Sequence, residues 1–211
     1  MSVLFKKIDF PDFDNFLSKT KKYSYPANTL IFKEGDISET LYFIISGSIS
    51  VLLKDDNNRE IIIAYLSAGD FFGEMSLFDI NMSRSASIVT KERSELAEIN
   101  YEYFKIYAEA HPKILYILGK QMARRLRNTT QKVADLSFLD ATGRIASTLL
   151  NLSKDPSALT HPDGMQIKIT RQELGKITNC SREMVGRILK DLQAQGLIEV
   201  SGKTIVIYGT R

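Results

Sequence analysis

Between Tyr25 and Ile99 the hydrophobic positions come in short bursts, each closed by a turn. The bursts are Thr29–Phe32, Leu41–Ile45, Ile49–Leu53 and Glu60–Tyr65, all rich in β-branched and aromatic residues. The turns Glu34-Gly35-Asp36, Ser46-Gly47-Ser48, Asp55-Asp56-Asn57-Asn58 and Ala68-Gly69-Asp70 recur at roughly 10–12 residues. Short strands at this spacing predict an antiparallel barrel or sandwich, and the length suits an eight-stranded jelly roll.

The period changes at His111-Pro112, where proline suits a first helical position. From there to Leu136 only Gly119 interrupts the helix formers. Leu115, Met122, Thr129 and Leu136 recur every seven residues, with Leu118, Leu126 and Val133 between them. This heptad seam fits a two-helix coiled coil, hence a homodimer; an amphipathic helix lying on its own domain is the alternative. Thr129, a polar residue in the seam, favours the dimer because such residues set register or serve a function. Asp140-Ala141-Thr142-Gly143 reads as a hinge. Arg144–Leu152 is helical by period, and Pro156 and Pro162-Asp163-Gly164 mark a loop.

Residues 166–208 carry the densest signal. Gln166–Ile169 alternates like a strand, and Thr170 with Glu173 forms a capping box that opens a helix. After the turn Thr178-Asn179-Cys180, Ser181 caps a second helix with Val185, Ile188, Leu189 and Leu192 facing inward. Leu197–Val200 and Thr204–Tyr208 flank Ser201-Gly202-Lys203 as a hairpin. Two short helices and a hairpin predict a winged helix-turn-helix. The fold class expected is therefore α+β: an N-terminal β jelly roll over 1–110, a long dimerisation helix and hinge over 111–139, and the winged helix-turn-helix over 140–211.

The composition is 44% hydrophobic and 25% charged, ordinary for a globular chain and too apolar for a disordered one. No window approaches a membrane span, and the N-terminal Met1-Ser2-Val3-Leu4-Phe5-Lys6-Lys7 reaches charge too soon for a signal peptide, so the chain is expected in the cytoplasm. One cysteine, Cys180, excludes an internal disulfide and a cysteine-only iron–sulfur or zinc site, and it reads as a small packed hydrophobe. No spacing typical of a nucleophile elbow, dinucleotide loop or metal pair is present, so the chain does not read as an enzyme. Charge is uneven: residues 1–110 hold 12 Lys and Arg against 17 Asp and Glu, whereas 111–139 hold 6 against 1 and 140–211 hold 10 against 7. A polyanion would meet only the C-terminal part.

On the second helix of the C-terminal pair the outer face holds Arg182, Glu183, Gly186, Arg187 and Lys190. Arginine forks match guanine acceptors, and a carboxylate accepts from the cytosine amino group. Thr170, Arg171, Gln172, Ser181 and Lys203 lie where helix N-termini and a wing meet phosphates. Ordinary solvated surface charge is the competing reading. In the β domain, Gly73-Glu74-Met75-Ser76-Leu77-Phe78 breaks the strand rhythm as one helical turn, and Arg84-Ser85-Ala86 follows. Exposed N–H groups and a guanidinium suit an anion, and Glu74 could accept from a sugar hydroxyl. The alternative is an Arg84–Glu74 ion pair tying a loop.

Gly73-Glu74-x-x-Leu77 with Arg84-Ser85-Ala86 resembles the phosphate-binding cassette of cyclic-nucleotide-binding domains. The runs Thr160–Glu173, Cys180-Ser181-Arg182-Glu183, Val185–Lys190 and Tyr208-Gly209-Thr210-Arg211 resemble the cyclic AMP receptor protein (CRP/FNR) family of bacterial transcription regulators, and the resemblance spans essentially the whole chain. It implies a homodimeric, cAMP-dependent regulator that binds palindromic promoter DNA and contacts RNA polymerase. Gly73, Glu74, Arg84 and Ser85 would hold the cyclic phosphate and ribose of cAMP, the allosteric effector, with Met75 and Ser76 in the same site and Arg125 near it. Thr129 and Thr130 would meet the adenine, one from each subunit. Arg182, Glu183 and Arg187 would read DNA, and Thr160, His161, Pro162, Asp163 and Gly164 would touch polymerase. A regulator of the same fold that senses something else, such as cyclic di-GMP, oxygen or redox state, is the runner-up. Against the best-known pattern, Met184 and Ala64 replace hydroxyl residues and Thr130 replaces a serine. Tyr23 and Tyr103 replace basic residues of a second polymerase surface, where Lys19, Lys21 and Lys22 keep the corner basic.

Overall fold

The computed structural model describes residues 13–78, 83–155 and 157–210, in two compact units, 1–128 and 129–211. Met1–Lys7, Pro156 and Arg211, used in reading the sequence, lie outside the described residues. The first unit opens with α1 (Phe13–Ser18), followed by β1 (Lys21–Tyr25), β2 (Leu30–Phe32), β3 (Thr40–Ser46), β4 (Ser48–Lys54), β5 (Glu60–Ser67) and β6 (Phe71–Phe72). A one-turn helix α2 (Met75–Phe78), β7 (Ser87–Thr90), β8 (Ser94–Asn100) and α3 (Tyr101–Ala110) follow.

Eight antiparallel strands form two sheets, ordered β1-β8-β3-β6 and β2-β7-β4-β5. This is the double winding of a jelly roll. Period-two alternation sorts the side chains into two cores. Ile44, Ile49, Leu66, Phe72, Ile88 and Leu96 fill the space between the sheets. Leu41, Phe43, Phe71, Ala97 and Ile99 point to the other side of the first sheet, where they meet Phe16, Tyr101, Phe104 and Tyr107 from α1 and α3. Phe16, Phe43 and Phe71 pack edge to face with centroids 4.9–6.2 Å apart.

The long helix α4 runs without a break from Lys113 to Phe138, about 39 Å at the usual helical rise. It starts one residue after Pro112, within the latitude of helix ends. Ile114 and Leu118 are buried in the α1–α3 core, so Leu118 faces the roll and is not a seam residue as the heptad suggested. Leu115, Leu126, Val133 and Leu136 stay exposed on the single chain. One face of α4 thus lies on its own domain, and a second, apolar face is exposed.

The hinge is shorter than the sequence implied. Asp140 caps α5 (Ala141–Ser153) by accepting from Gly143 N at 2.7 Å, so Ala141–Gly143 are already helical. The second unit continues with β9 (Leu159–His161), β10 (Gly164–Lys168), α6 (Arg171–Thr178), α7 (Arg182–Ala194), β11 (Ile198–Ser201) and β12 (Thr204–Tyr208). Its strands form one antiparallel sheet, β11-β12-β10-β9. Ile145, Leu149, Leu174, Val185, Ile188, Leu189 and Leu192 share a core with Ile167, Ile198, Ile205 and Ile207.

Candidate functional site

The cassette sits between the end of β6 and the start of β7. Gly73 adopts φ +77°, and a Cβ there would lie 2.4 Å from Arg84 Nη1, so both backbone and space demand glycine. Arg84 is 5% exposed. Its Nη2 donates to Thr40 C=O at 2.8 Å, and its Nη1 to Gly73 C=O at 3.2 Å and Tyr101 Oη at 3.3 Å. The guanidinium carbon stands 4.1 Å above the Phe32 ring and 5.5 Å from that of Tyr42. Tyr101 Oη in turn donates to Gly73 C=O at 2.5 Å and lies 2.6 Å from Ser38 Oγ.

Arg84 is therefore a buried cation held by neutral oxygens and ring faces, with no carboxylate among its partners in the described residues. Burying a charge is costly unless an opposite charge compensates it. Among the described residues such a site is short of one anion. Glu74, 6% exposed, does not supply it: its Oε1 takes Arg125 Nη1 at 2.8 Å, and Arg125 Nη2 also donates to Phe71 C=O. The Arg84–Glu74 pair considered from spacing is replaced by Glu74–Arg125. Arg125 Nε is a buried donor with no acceptor among the described residues.

The other cassette residues divide by exposure. Ser76 is buried, with its hydroxyl donating to Ser83 C=O at 3.0 Å, while Met75 and Ser85 are exposed and meet through a 3.3 Å Oγ···Sδ contact. Burial, followed by the nearby Glu98 carboxylate, pushes the Tyr42 phenol up to about 12, so its hydroxyl keeps its proton at neutral pH. Phe32, Thr40, Tyr42 and Tyr101 around Arg84 were missed in the sequence, which carries no local signal for contacts made across the roll. Thr129 and Thr130 are exposed on α4 and belong to the second unit.

In the second unit Thr170 and Ser181 are N-caps, accepting from Glu173 N and Met184 N, each at 3.1 Å. Asn179 turns the chain between α6 and α7 in the left-handed region, φ 53°. Gly175 permits the tight corner, since a Cβ there would stand 2.6 Å from Cys180 C=O. The inward stripe of α7 is buried, while Arg182, Glu183, Arg187 and Lys190 are exposed on the opposite face. A Cβ on Gly186 would only reach Arg171 Cδ at 3.8 Å, so nothing inside the unit requires glycine there. The Glu183 carboxyl is held below its ordinary value by its own backbone N–H, then by the Ser181 hydroxyl and Arg182, which keeps it an ionised acceptor.

Thr170, Arg171, Gln172, Ser181 and Lys203 are exposed as well, with Lys203 on the β11–β12 turn. One residue not foreseen ties this head to the hinge: Arg144 donates to Leu139 C=O and Thr178 C=O, both at 3.0 Å, and its Nη2 lies 3.6 Å from Cys180 Sγ. Thr160, Pro162 and Asp163 are exposed around the β9–β10 turn, with His161 half-buried and Gly164 buried against Ile207 C=O. Gly209 N donates to Asp163 C=O at 3.1 Å, which fastens the turn to the chain beyond β12.

Two family models match. Residues 22–111 match the cyclic nucleotide-binding domain and residues 143–208 the Crp-like helix-turn-helix domain. The chain is 55% identical over 201 residues to the cAMP-activated global transcriptional regulator Vfr of Pseudomonas aeruginosa, covering 94% of each. It is 53% identical over 209 residues to the cAMP-activated global transcriptional regulator CRP of Salmonella typhimurium, covering 99% of this chain and 100% of that one. Among solved structures, the c-di-GMP-responsive global regulator CLP of Xanthomonas campestris superposes with a TM-score of 0.88 at 44% identity, covering 94% of this chain and 98% of that chain.

Proposed function

We propose that this chain, which belongs to the CRP/FNR family of transcription regulators, is a cAMP-activated regulator that binds two-fold symmetric promoter DNA as a homodimer and contacts RNA polymerase. It is a regulator and not an enzyme. The observation that carries the cAMP reading is Arg84, a buried cation whose partners among the described residues are all neutral. A cyclic phosphate carries one negative charge, which is the compensation such a site lacks. Glu74, paired with Arg125 at 2.8 Å, retains acceptor capacity for a ribose hydroxyl. Gly73, Met75, Ser76 and Ser85 complete this cassette, and Thr129 and Thr130 would supply adenine contacts in the dimer.

The name of the CLP structure raises cyclic di-GMP as a second ligand. The cassette favours cAMP because Arg84 is its one arginine, enough for one phosphate group and not for two. On the DNA side, Arg182, Glu183 and Arg187 would read base edges, and Thr170, Arg171, Gln172, Ser181 and Lys203 would hold phosphates. The turn Thr160–Gly164 is the surface offered to RNA polymerase. In this reading 1–110 senses, 111–139 dimerises and 140–211 binds DNA, all in the cytoplasm where promoter DNA is found.

The exposed leucines and valine of α4 support the dimer, since a helix seam of this kind needs a partner. The test is calorimetric titration with cAMP, cGMP and cyclic di-GMP, together with binding to a palindromic DNA site with and without each. cAMP should bind and tighten specific DNA binding. Tightening by cyclic di-GMP alone would replace the ligand and keep the regulator.

A further inference from the structure

β6 is an edge strand of its sheet, and its two residues lead directly into the cassette. Phe71 in that strand is fully buried, so its N–H needs an acceptor inside the protein. Among the described residues no further strand provides one. The acceptor is the side chain of Gln121 on α4: Oε1 accepts from Phe71 N at 2.9 Å, and Nε2 donates to Gly69 C=O at 2.9 Å. One carboxamide thus makes both bonds that a neighbouring strand would make.

One helical turn further along α4, Arg124 pairs with Asp70 at 2.5 Å, and the other oxygen of that carboxylate accepts from Ser67 N at 3.1 Å. Every residue from Gly69 to Phe71 is therefore bonded to α4 on one side. On the other, Ile44 of β3 accepts from Gly69 N and donates to Asp70 C=O. A shift of α4 along or about its axis must move this stretch or break these bonds, because a carboxamide with both ends engaged has no freedom to follow on its own. The same helix continues without interruption to Phe138, in the second unit.

We propose that Gln121 is a positioning residue that registers α4 against the nucleotide cassette, so that a change at the cassette on ligand binding is passed to the helix through the backbone of Gly69–Phe71. This rests on the cAMP reading given above. Gln121 touches no ligand in this scheme; it acts through Phe71 and Gly69. A ligand shifts a two-state equilibrium only through differential affinity, and a joint of fixed geometry lets one such difference reach a distant element.

The experiment measures cAMP affinity by calorimetry and specific DNA affinity with and without cAMP, in the full-length wild type, Gln121→Ala and Gln121→Glu. Gln121→Ala removes the acceptor of Phe71 N–H and the donor to Gly69 C=O together. It should keep cAMP affinity within about tenfold and lose at least about tenfold, ~1.4 kcal/mol, of the cAMP-dependent gain in DNA affinity. Gln121→Glu keeps the acceptor but turns an oxygen toward Gly69 C=O, so the introduced carboxyl should behave like the carboxamide only when protonated. Its coupling should be poor at about pH 8 and recover toward the wild-type value at about pH 5.5, a rescue that a merely structural loss would not show.

A wild-type ratio of DNA affinities in Gln121→Ala, a loss of cAMP binding beyond about tenfold, or a pH-independent Gln121→Glu would each overturn the proposal. If Gln121→Ala does not fold, the pH response of Gln121→Glu decides alone. Failure of the wild type itself to respond to cAMP would sink the functional reading instead, which keeps the two failures apart.

Discussion

Replacing Arg84 by leucine separates what the cassette does for the ligand from what it does for the fold. The guanidinium makes three hydrogen bonds, to Thr40 C=O, Gly73 C=O and Tyr101 Oη. Two of these groups keep other partners without it: Tyr101 Oη still reaches Gly73 C=O at 2.5 Å and Ser38 Oγ at 2.6 Å. A leucine side chain would lie against the Phe32 and Tyr42 rings that the guanidinium covers now. Exchanging a buried, uncompensated ion for an apolar group of similar size is often neutral or stabilising. Stability without ligand should therefore change little.

Ligand binding should collapse, because a fork on a phosphate makes two charge-assisted hydrogen bonds worth about 1.5–3 kcal/mol each. Their loss corresponds to roughly 10²–10⁴ in cAMP affinity. Thermal unfolding with and without cAMP reads both effects. At a hundredfold excess over Kd the wild type gains about 2.7 kcal/mol, a rise of several degrees in Tm, and Arg84→Leu should gain nothing at that concentration. Near-native cAMP affinity in a folded Arg84→Leu would refute the argument that the buried cation awaits the phosphate. A variant that no longer folds would refute the claim that the fold does not depend on it.

Other expectations follow from the second unit and from α4. Arg187→Ala should cost roughly 1–3 kcal/mol of DNA affinity and relax preference at one base pair of each half-site; equal weakening on all sequences in a competition assay would make Arg187 a phosphate contact. The half-sites themselves should lie about 34–36 Å apart, the established separation for helix-turn-helix dimers, this family's included. Leu126→Glu places a charge in the middle of the exposed α4 seam and should convert the dimer to monomer in analytical ultracentrifugation, and an intact dimer would move the interface elsewhere. Thr129→Ala combined with Thr130→Ala should keep cAMP affinity within about tenfold yet lose most of the cAMP-dependent gain in DNA binding. An unchanged gain, measured by titrating labelled DNA at fixed cAMP, would remove the threonines from the coupling.

The roll and the DNA head differ in how far they could be read. Four roll strands were legible as short β-branched and aromatic runs closed by turns, and the caps Thr170 and Ser181 located α6 and α7 to within a residue. β1 was not, because Lys21-Lys22-Tyr23-Ser24-Tyr25 is a largely exposed edge with only Tyr25 packed on the core, a form that resists pairing. β6 has only two residues, too few to show a period. For α3 the signals existed, with Asn100 as N-cap and Tyr101, Phe104, Tyr107 and Ala108 on one buried face. The change of period belongs at Tyr101, ten residues before His111-Pro112, since a strand and a helix that meet without a turn leave no punctuation between them.

Helix α4 shows where pattern reading stops. A seven-residue period says which residues share a face, and not what covers that face. Leu115, Leu126, Val133 and Leu136 repeat for a seam, while Ile114 and Leu118, one step round the helix, repeat for the roll. From sequence the two stripes merge into one, and Leu118 falls on the wrong side. The residues that continue the roll-facing stripe beyond Leu118 are polar, Gln121 and Arg125, and polar residues on an amphipathic helix are read as outward by default. Here they face the roll because Phe71 N–H and Gly69 C=O need partners that leucine cannot supply, and because Glu74 is buried and needs a cation. Neither demand is visible within a window of α4 itself; both arise some fifty residues upstream, at the cassette. The polar interruptions of its apolar pattern are therefore the points at which α4 is bonded to the cassette and the stretch that leads into it.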